Sequence, residues 1–207
     1  FSQSFVIFLS NRNHPTEKAS VVQLRKRIST LAAEAIQNGE RQFATSPYQP
    51  TFPVKETLTS NKVLNGIDGL KRTNFGPLKG LKIGLITNHT GRDRKGGSTI
   101  DLLHRSPAVE LRALFSPEHG IRGEKDEKVG DGKDAKTGLP VYSLYGKRRS
   151  PSPEQLAGLD ALVFDIQDIG CRFYTYISTL GLCLEAAGKA DLKFFVLDRI
   201  NPINGSA

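Results

Sequence analysis

One stretch of the chain, residues 160–179, constrains the fold more than any other. It opens with an apolar run, Ala-Leu-Val-Phe, which is short and favours β structure, so it predicts a buried strand. The polar side chains of Asp165, Gln167 and Asp168 follow at once, and a buried parallel strand does not hold such groups in its middle. Gly170 then allows a tight turn. The stretch therefore predicts a strand that delivers a polar loop at its carboxyl end.

A helix is predicted to follow this loop. From Arg172 onward the apolar residues recur at steps of three and four, which is the spacing of one helix face. The predicted apolar face comprises Phe173, Ile177, Leu180, Leu184 and Ala187. Strand, polar loop and helix in this order form half of a βαβ unit, and open α/β sheets bind ligands at the carboxyl ends of their strands. An active site, if the chain has one, is expected here.

The rest of the region repeats this alternation. Clear strands are predicted at residues 81–87, 111–115 and 193–197, with a possible short strand at 140–144. Helices are predicted at residues 98–105 and from 153 to 159, with a short helix or turn at 63–70. Alternating strands and helices predict an α/β, Rossmann-like fold with a mostly parallel sheet and flanking helices.

Polar residues follow each of the four clear strands. They are Asn88, the pair Glu118 and His119, the pair Gln167 and Asp168, and Asp198 with Asn201. Because the carboxyl ends of parallel strands meet at one edge of the sheet, we expect these residues to line the rim of a cleft.

The chain is predicted to contain a second, N-terminal piece. Residues 4–9 read as a strand, and a helix is predicted from Ser20 to about residue 38. Residues 39–60 hold three prolines among Ser, Thr and Gln and are predicted to be a linker. The predicted division is therefore 1–38, 39–60 and 61–207. Because the chain begins at Phe1 and contains no Met, we expect an internal fragment of a longer protein, truncated at the C-terminus.

Composition limits the partners. The 207 residues carry a formal net charge of +8 with 38% hydrophobic and 24% charged residues, which is typical of soluble globular proteins. The only basic clusters, 25–27 and 147–149, have no interleaved aromatic residues, so nucleic acid is not an expected partner. No apolar run approaches the roughly 20 residues of a membrane helix, so no membrane span is expected in this segment. Nothing indicates an oligomeric state.

The two cysteines are not expected to pair or to bind metal. Cys171 and Cys183 are twelve residues apart on what reads as one helix. At 1.5 Å per residue their separation is roughly 18 Å, beyond disulfide reach. No spacing typical of a zinc site occurs anywhere in the chain.

The residues alone leave several chemistries open. Residues 91–98 resemble a phosphate-binding P-loop, but Gly97 stands where that loop needs Lys. Glu118, His119 and the two loop aspartates are metal-ligand types at a nonspecific spacing. Ser116 lies near His119, but the chain lacks the elbow motif of serine hydrolases. Carboxylate acid–base chemistry is the remaining interpretation, with Glu118 after a strand and with Arg172, Tyr174 and Tyr176 placed to contact a sugar. For Tyr176 the expected alternative is packing in the core.

Five ordered motifs resemble those of one family, the exo-β-N-acetylmuramidases, which remove terminal N-acetylmuramic acid from peptidoglycan fragments. The motifs lie at residues 85–91, 114–123, 137–146, 163–176 and 197–202. The resemblance implies a Rossmann-like first domain and a smaller C-terminal domain that closes the cleft. It also implies peptidoglycan-derived saccharides as partners, a periplasmic or secreted location, and neither a cofactor nor a metal. The sequence departs from the family's usual pattern at Cys171 and Ile200, neither of which is a catalytic residue type.

The resemblance also implies the site residues. Glu118 is the implied catalytic acid, and the implied catalytic set is Glu118, His119 and Asp168. The implied substrate-binding residues are Asn88, Asp165, Gln167, Arg172, Tyr174 and Asn201.

A second resemblance concerns the N-terminal piece. Residues 5–15 and 24–33 resemble the last strand and closing helix of serine β-lactamase-like hydrolases, behind which the muramidase domain is fused in some bacteria. The Ser-x-x-Lys motif of that family is absent. A Lys-Thr-Gly triplet occurs at residues 136–138, but in that family the triplet precedes the closing helix, whereas here it follows the predicted helix. Two alternatives to a muramidase therefore stay open: a carbohydrate-binding module without catalysis, or part of a β-lactamase-like serine hydrolase.

Overall fold

The computed structural model describes residues 64–117, 120–122, 130–146, 148–171, 173–200 and 202. Its helices are α1 (Gly66–Arg72), α2 (Thr99–Arg105), α3 (Pro153–Leu156) and α4 (Tyr176–Lys189), with a 3-10 turn at Gly76–Leu78. Its strands are β1 (Lys82–Thr87), β2 (Glu110–Ser116), β3 (Gly132–Lys133), β4 (Pro140–Ser143), β5 (Ala161–Asp165) and β6 (Lys193–Val196). The predicted N-terminal piece and linker lie outside the described residues, and the division into domains stays a prediction.

The strands form one sheet in the order β3-β4-β2-β1-β5-β6. Neighbours from β4 through β6 pair in parallel, and β3 pairs antiparallel with β4. Numbered along the chain, the parallel strands follow the order 3-2-1-4-5, which is the Rossmann arrangement. The predicted α/β fold with a mostly parallel sheet is thereby confirmed. The order reverses between β1 and β5, and sheets of this kind bind ligands outside the strand ends at that switch point.

Burial explains why the adjacent strands β1 and β5 are mostly apolar. Every residue of β5 is buried, and so is every residue of β1 after Lys82. Parallel strands covered on both faces need continuous apolar runs. Position 84 in β1 has room only for glycine, because a Cβ there would lie 2.7 Å from Cε2 of Phe115 and 2.9 Å from Cδ2 of Leu162. Helix α2 packs against β2, and α4 packs against β5 and β6.

Most predicted elements lie within about two residues of their observed ends, but the start and the apolar face of α4 were predicted wrongly. The helix begins at Tyr176, four residues after the predicted start, and Phe173 precedes it with 76% of its surface exposed. Ile177 is 40% exposed. The buried face contains Tyr176, Cys183 and Ala187, which lie seven and then four residues apart, so Ala187 alone of the predicted face is buried. Both cysteines are free, and burial raises the pKa of the Cys183 thiol to about 12.

The first helix is held closely to the carboxyl end of β6. The backbone N–H of Gly66 donates a 2.7 Å hydrogen bond to the carbonyl of Asp198. A Cβ on Gly66 would lie 2.5 Å from the Cα of Leu197, so only glycine allows this approach. Among the described helices, none combines the length and apolar character that crossing a membrane requires.

Candidate active site at the carboxyl edge of the sheet

The loop after β1 is organised by the side chain of Asn88. Its Oδ1 accepts hydrogen bonds from the backbone N–H of Thr90 at 2.9 Å and from the Thr90 hydroxyl at 2.5 Å. Its Nδ2 donates to the hydroxyl of Tyr176 at 3.1 Å. Asn88 is only 2% exposed, so these bonds satisfy a polar side chain that has left water. Asn88 therefore fixes the β1 loop and ties it to the first turn of α4.

Two threonines join the β1 loop to the β5 loop across the switch point. The hydroxyl of Thr87 donates to the carbonyl of Asp165 at 2.7 Å. The hydroxyl of Thr90 accepts from the backbone N–H of Gln167 at 2.9 Å. Gly91 makes the approach possible, because a Cβ there would lie 2.2 Å from Oγ1 of Thr87. The two loops that flank the switch point are thus held together by hydrogen bonds.

Beneath these loops lies a buried ion pair between Asp165 and Arg199. The guanidinium donates to both carboxylate oxygens, at 2.6 Å from Nε and 3.0 Å from Nη2. The hydroxyl of Thr99, the first residue of α2, adds a bond of 2.5 Å to Oδ2. The Asp165 side chain is fully buried and that of Arg199 is 6% exposed. Arg199 also donates to the carbonyl of Arg92 at 3.0 Å, so the pair joins the ends of β5 and β6 to the β1 loop.

Gln167 and Asp168 lie in the β5 loop and are half-buried. The amide nitrogen of Gln167 donates to the carbonyls of Asp168 at 2.8 Å and of Ile200 at 2.9 Å. The carboxylate of Asp168 accepts from the backbone N–H of Gly170 at 2.7 Å, which closes a tight turn. Among the described residues, the Asp168 carboxylate is thus held through Oδ1 alone, and the residue remains partly open to solvent.

An aromatic group borders this loop. The ring of Tyr174 meets those of Phe173 and Tyr176 edge to face, each at a centroid separation of 5.5 Å. Tyr176 is buried, Tyr174 is half-buried and Phe173 is exposed. The group thus runs from the core to the surface beside the polar loop, where a sugar ring can pack on its exposed end.

On the other side of β1, the segment after β2 is anchored by Arg122. The guanidinium donates to both carboxylate oxygens of Asp134, at 2.6 and 2.8 Å, and to Asp101 of α2 at 3.1 Å. The hydrogen bonds from Arg122, together with those from Thr137, outweigh burial and hold the pKa of Asp134 far below its usual range. Although burial alone would raise it, hydrogen bonds from Lys136 and Arg122 also hold the pKa of Asp101 low.

In the P-loop-like segment, residues 91–98, backbone N–H groups bind the carboxylate of Asp93. Asp93 accepts backbone hydrogen bonds from Gly97 at 2.7 Å and Lys95 at 3.0 Å, and its other oxygen accepts from the ammonium of Lys71. Burial alone would raise the pKa of Asp93, but these bonds outweigh it and keep the pKa below the usual value. The carboxylate occupies the position that a phosphate takes in a P-loop. Nucleotide binding is therefore not supported at this loop.

The structure brings five of the predicted site residues into one hydrogen-bonded and ring-contact network. These are Asn88, Asp165, Gln167, Asp168 and Tyr174. Glu118, His119, Arg172 and Asn201 lie outside the described residues. The individual catalytic and binding roles stay predictions. Within the described ranges, no group of three or more His, Cys, Asp or Glu residues is arranged to hold a metal ion.

The sequence interpretation missed the residues that organise this network. Arg199, Thr90 and Thr99 were not singled out, although the first two stand inside motifs at strand ends. The available signal for Arg199 was its place just past the carboxyl end of a strand, in the motif at residues 197–202; in the structure it binds the buried Asp165 at the end of the neighbouring strand β5. Tyr176 was expected to pack in the core, and it is 7% exposed.

Comparison with solved structures agrees with this architecture. Two crystal structures of DUF1343 family proteins from Bacteroides fragilis superpose on the chain. The first has a TM-score of 0.65 and 55% identity, and the match covers 70% of this chain and 36% of that protein. The second has a TM-score of 0.56 and 38% identity, with a match that covers 68% of this chain and 36% of that protein.

Comparison with characterised sequences adds a named relative. The chain is 49% identical over 176 residues to the peptidoglycan β-N-acetylmuramidase NamZ of Bacillus subtilis. The match covers 83% of this chain, and the chain spans 42% of that relative's length. The family model for the N-terminal part of exo-β-N-acetylmuramidase NamZ matches residues 83–207. This range holds all six strands except the first residue of β1, together with the hydrogen-bonded loops at the switch point. The chain belongs to the family of exo-β-N-acetylmuramidase NamZ N-terminal domains.

Proposed function

We propose that the protein is a glycoside hydrolase that releases terminal N-acetylmuramic acid from peptidoglycan fragments. The observation that carries this proposal is the 49% identity to a peptidoglycan β-N-acetylmuramidase across the strands whose carboxyl ends build the site. A polar rim with an aromatic border at the switch point is also what a sugar-binding cleft needs, because sugars combine hydroxyl groups with apolar ring faces.

Glu118 is proposed as the general acid. Glycoside cleavage needs a protonated carboxyl group that donates to the leaving oxygen. Glu118 follows Ser116, the buried last residue of β2, by two positions in the sequence, and this proximity to the carboxyl end of β2 supports the proposal. His119 is proposed to help position Glu118 or a water molecule.

Asp168, rather than Asp165, is the proposed second carboxylate. Both oxygens of Asp165 are taken up by Arg199 and Thr99, and the side chain is fully buried. Asp168 is half-buried, and within the part of the chain that the structure describes its carboxylate is bonded through Oδ1 alone, so Oδ2 is proposed to meet water or substrate. Asp165 accordingly serves to hold the loops in place. Arg172 is proposed to meet the lactyl carboxylate that distinguishes muramic acid from N-acetylglucosamine, and Tyr174 to pack on the sugar.

The test is release of N-acetylmuramic acid from a muropeptide-derived disaccharide by the full-length protein. Glu118→Gln is expected to lower kcat by roughly 10²–10⁴ while the disaccharide still binds, because it removes only the proton donor. The matched control is Glu110→Gln, which alters an exposed carboxylate at the opposite end of the same strand and should leave kcat unchanged.

Two outcomes would contradict the proposal. Near-normal kcat for Glu118→Gln on a substrate with a poor leaving group would transfer the acid role to Asp168. Binding of the disaccharide by the wild-type protein without any turnover would favour a carbohydrate-binding module.

The setting of this activity is proposed from its substrate. Peptidoglycan fragments arise outside the cytoplasmic membrane, so we propose a periplasmic or secreted location and a role in cell-wall turnover and recycling. We also propose that residues 1–38 are the tail of a fused β-lactamase-like domain. Fractionation of the cells that make the protein, followed by detection with an antibody, tests the location, and recovery in the cytosolic fraction would contradict it.

A further inference from the structure

The orientation of the Gln167 side-chain amide is fixed by chemistry. One end of the amide faces the carbonyls of Asp168 and Ile200, at 2.8 and 2.9 Å. Backbone carbonyls only accept hydrogen bonds, so the nitrogen must face them, and both of its hydrogens are used there. The amide cannot flip without placing its own oxygen against two carbonyl oxygens. Its oxygen, Oε1, therefore faces away from both backbone carbonyls.

The platform beneath this amide is rigid as well. The backbone N–H of Gln167 donates to Thr90 at 2.9 Å. Ile200, whose carbonyl holds the amide nitrogen, directly follows Arg199, and Arg199 is locked by Asp165 and by the carbonyl of Arg92. One support of the side chain, the Ile200 carbonyl, thus follows directly on the buried ion pair, and the other, the Asp168 carbonyl, lies in the β5 loop that Thr90 holds. These contacts set the position of Oε1 before any ligand arrives.

The oxygen is also open. No hydrogen bond to Oε1 of Gln167 occurs among the described residues. Within the same residues, no buried side-chain nitrogen or oxygen lacks a partner. Because Oε1 has no partner among these residues, it is not one of the buried atoms and is accessible to solvent. Gln167 as a whole is half-buried. The β5 loop thus presents, at the carboxyl edge of the sheet, a hydrogen-bond acceptor that cannot act as a donor.

We propose that Gln167 is a specificity-determining residue that accepts, through Oε1, a hydrogen bond from a donor group on the bound sugar. The donor is either the N–H of the 2-acetamido group or a ring hydroxyl. This inference rests on the proposed function. It adds that Gln167 accepts the hydrogen bond and the sugar donates it. A site that aims a fixed acceptor at a donor rejects analogues without it, since the acceptor then stays unpaired in the closed complex.

The experiment is a cycle of protein and substrate changes, measured as kcat/KM with the full-length protein. Gln167→Met removes the whole amide at nearly constant volume. Gln167→Lys keeps donors for the two carbonyls and removes the acceptor, so it separates the loss of Oε1 from loosening of the loop. The substrates are the muramic acid disaccharide, an analogue in which oxygen replaces the acetamido N–H, and analogues that lack single ring hydroxyls.

The expected result is non-additivity at one substrate position. The analogue without the donor should lose roughly 10- to 100-fold in kcat/KM with the wild-type protein and almost nothing further with either variant. Non-additivity between the Gln167 change and the change at the 2-acetamido group identifies the N–H as the donor. Non-additivity with removal of one ring hydroxyl identifies that hydroxyl. A rate loss caused by participation of the acetamido group in the chemistry would be equal in wild type and variants, so it does not imitate coupling.

Additive effects at every position, with normal wild-type turnover, would overturn the inference and leave the proposed function standing. Absence of turnover with retained binding would contradict the proposed function alone, and the same cycle is then measured as Kd. A wild-type protein that neither binds nor cleaves the disaccharide would overturn both.

Discussion

The buried pair of Asp165 and Arg199 makes the strongest stability prediction. Arg199→Met removes the guanidinium while keeping a long apolar side chain. The carboxylate of Asp165, which is fully buried, then keeps one side-chain donor, the hydroxyl of Thr99. Removing one partner of a buried ion pair leaves an uncompensated charge and costs about 3–5 kcal/mol. For a domain of this size, that corresponds to a fall in Tm of roughly 6–20 °C.

The assay is chemical denaturation of the full chain at neutral pH, with a matched control. Arg112→Met breaks an ion pair with Glu110 of the same 2.6 Å distance, but these side chains are 53% and 51% exposed. An exposed pair contributes no more than about 1 kcal/mol, so this variant should unfold almost as the wild type does. The two pairs share charge type and shortest distance but differ in burial and in the number of hydrogen bonds, since Arg199 also binds the second Asp165 oxygen and the Arg92 carbonyl.

A second variant tests the cause of the loss. Adding Asp165→Asn to Arg199→Met removes the unpaired charge, so the double variant should be more stable than Arg199→Met alone. Equal losses for Arg199→Met and Arg112→Met would refute the reasoning, as would a double variant less stable than the single one.

Two further predictions concern the loops that border the site. Gly91→Ala places a Cβ 2.2 Å from the Thr87 hydroxyl, so it should lower both Tm and turnover, whereas Gly96→Ser, at an exposed turn with positive φ and no atoms within 4 Å of a Cβ, should lower Tm only. Because the pKa of Asp134 lies below its unfolded value of about 3.9, its contribution to folding is complete above that pH and is lost as the pH falls further. Asp134→Asn should therefore be less stable at neutral pH and should show a flatter acid dependence between pH 5 and about 2 in denaturation measurements.

The fold was predictable because local patterns and burial agree. The run 161–164 is apolar for the same reason that β5 is buried on both faces, and the polar residues after it mark the carboxyl edge. The start of α4 was not predictable from spacing. Phe173 continues the three-and-four pattern into the loop, and Ile177 continues it on an exposed side of α4. The Asn88 contact with Tyr176 and the burial of Cys183 select another face. Tertiary contacts determine where α4 begins and which face it buries, and the spacing of apolar residues carries no information about those contacts.

The site was predictable as a location, but the roles within it were only partly so. Asp165 and Asp168 are three residues apart and alike in sequence, so no local rule separates them. The structure separates them through Arg199, which is distant in the chain and neutralises Asp165 alone. The oxygen of Asn88 accepts two hydrogen bonds from Thr90, and the substrate-binding role of Asn88 stays a prediction. Long-range hydrogen bonds determine which polar groups remain open to a substrate.

The most direct test of the site is a crystal structure of full-length Glu118→Gln with the muramic acid disaccharide bound. We expect the sugar at the carboxyl edge of the sheet, between the ends of β1 and β5, with a donor group within about 3.2 Å of Oε1 of Gln167. Asp165 should remain paired with Arg199 and make no contact with the sugar. A sugar bound at the amino edge of the sheet, or one that displaces Arg199 to reach Asp165, would contradict the assignment of this site.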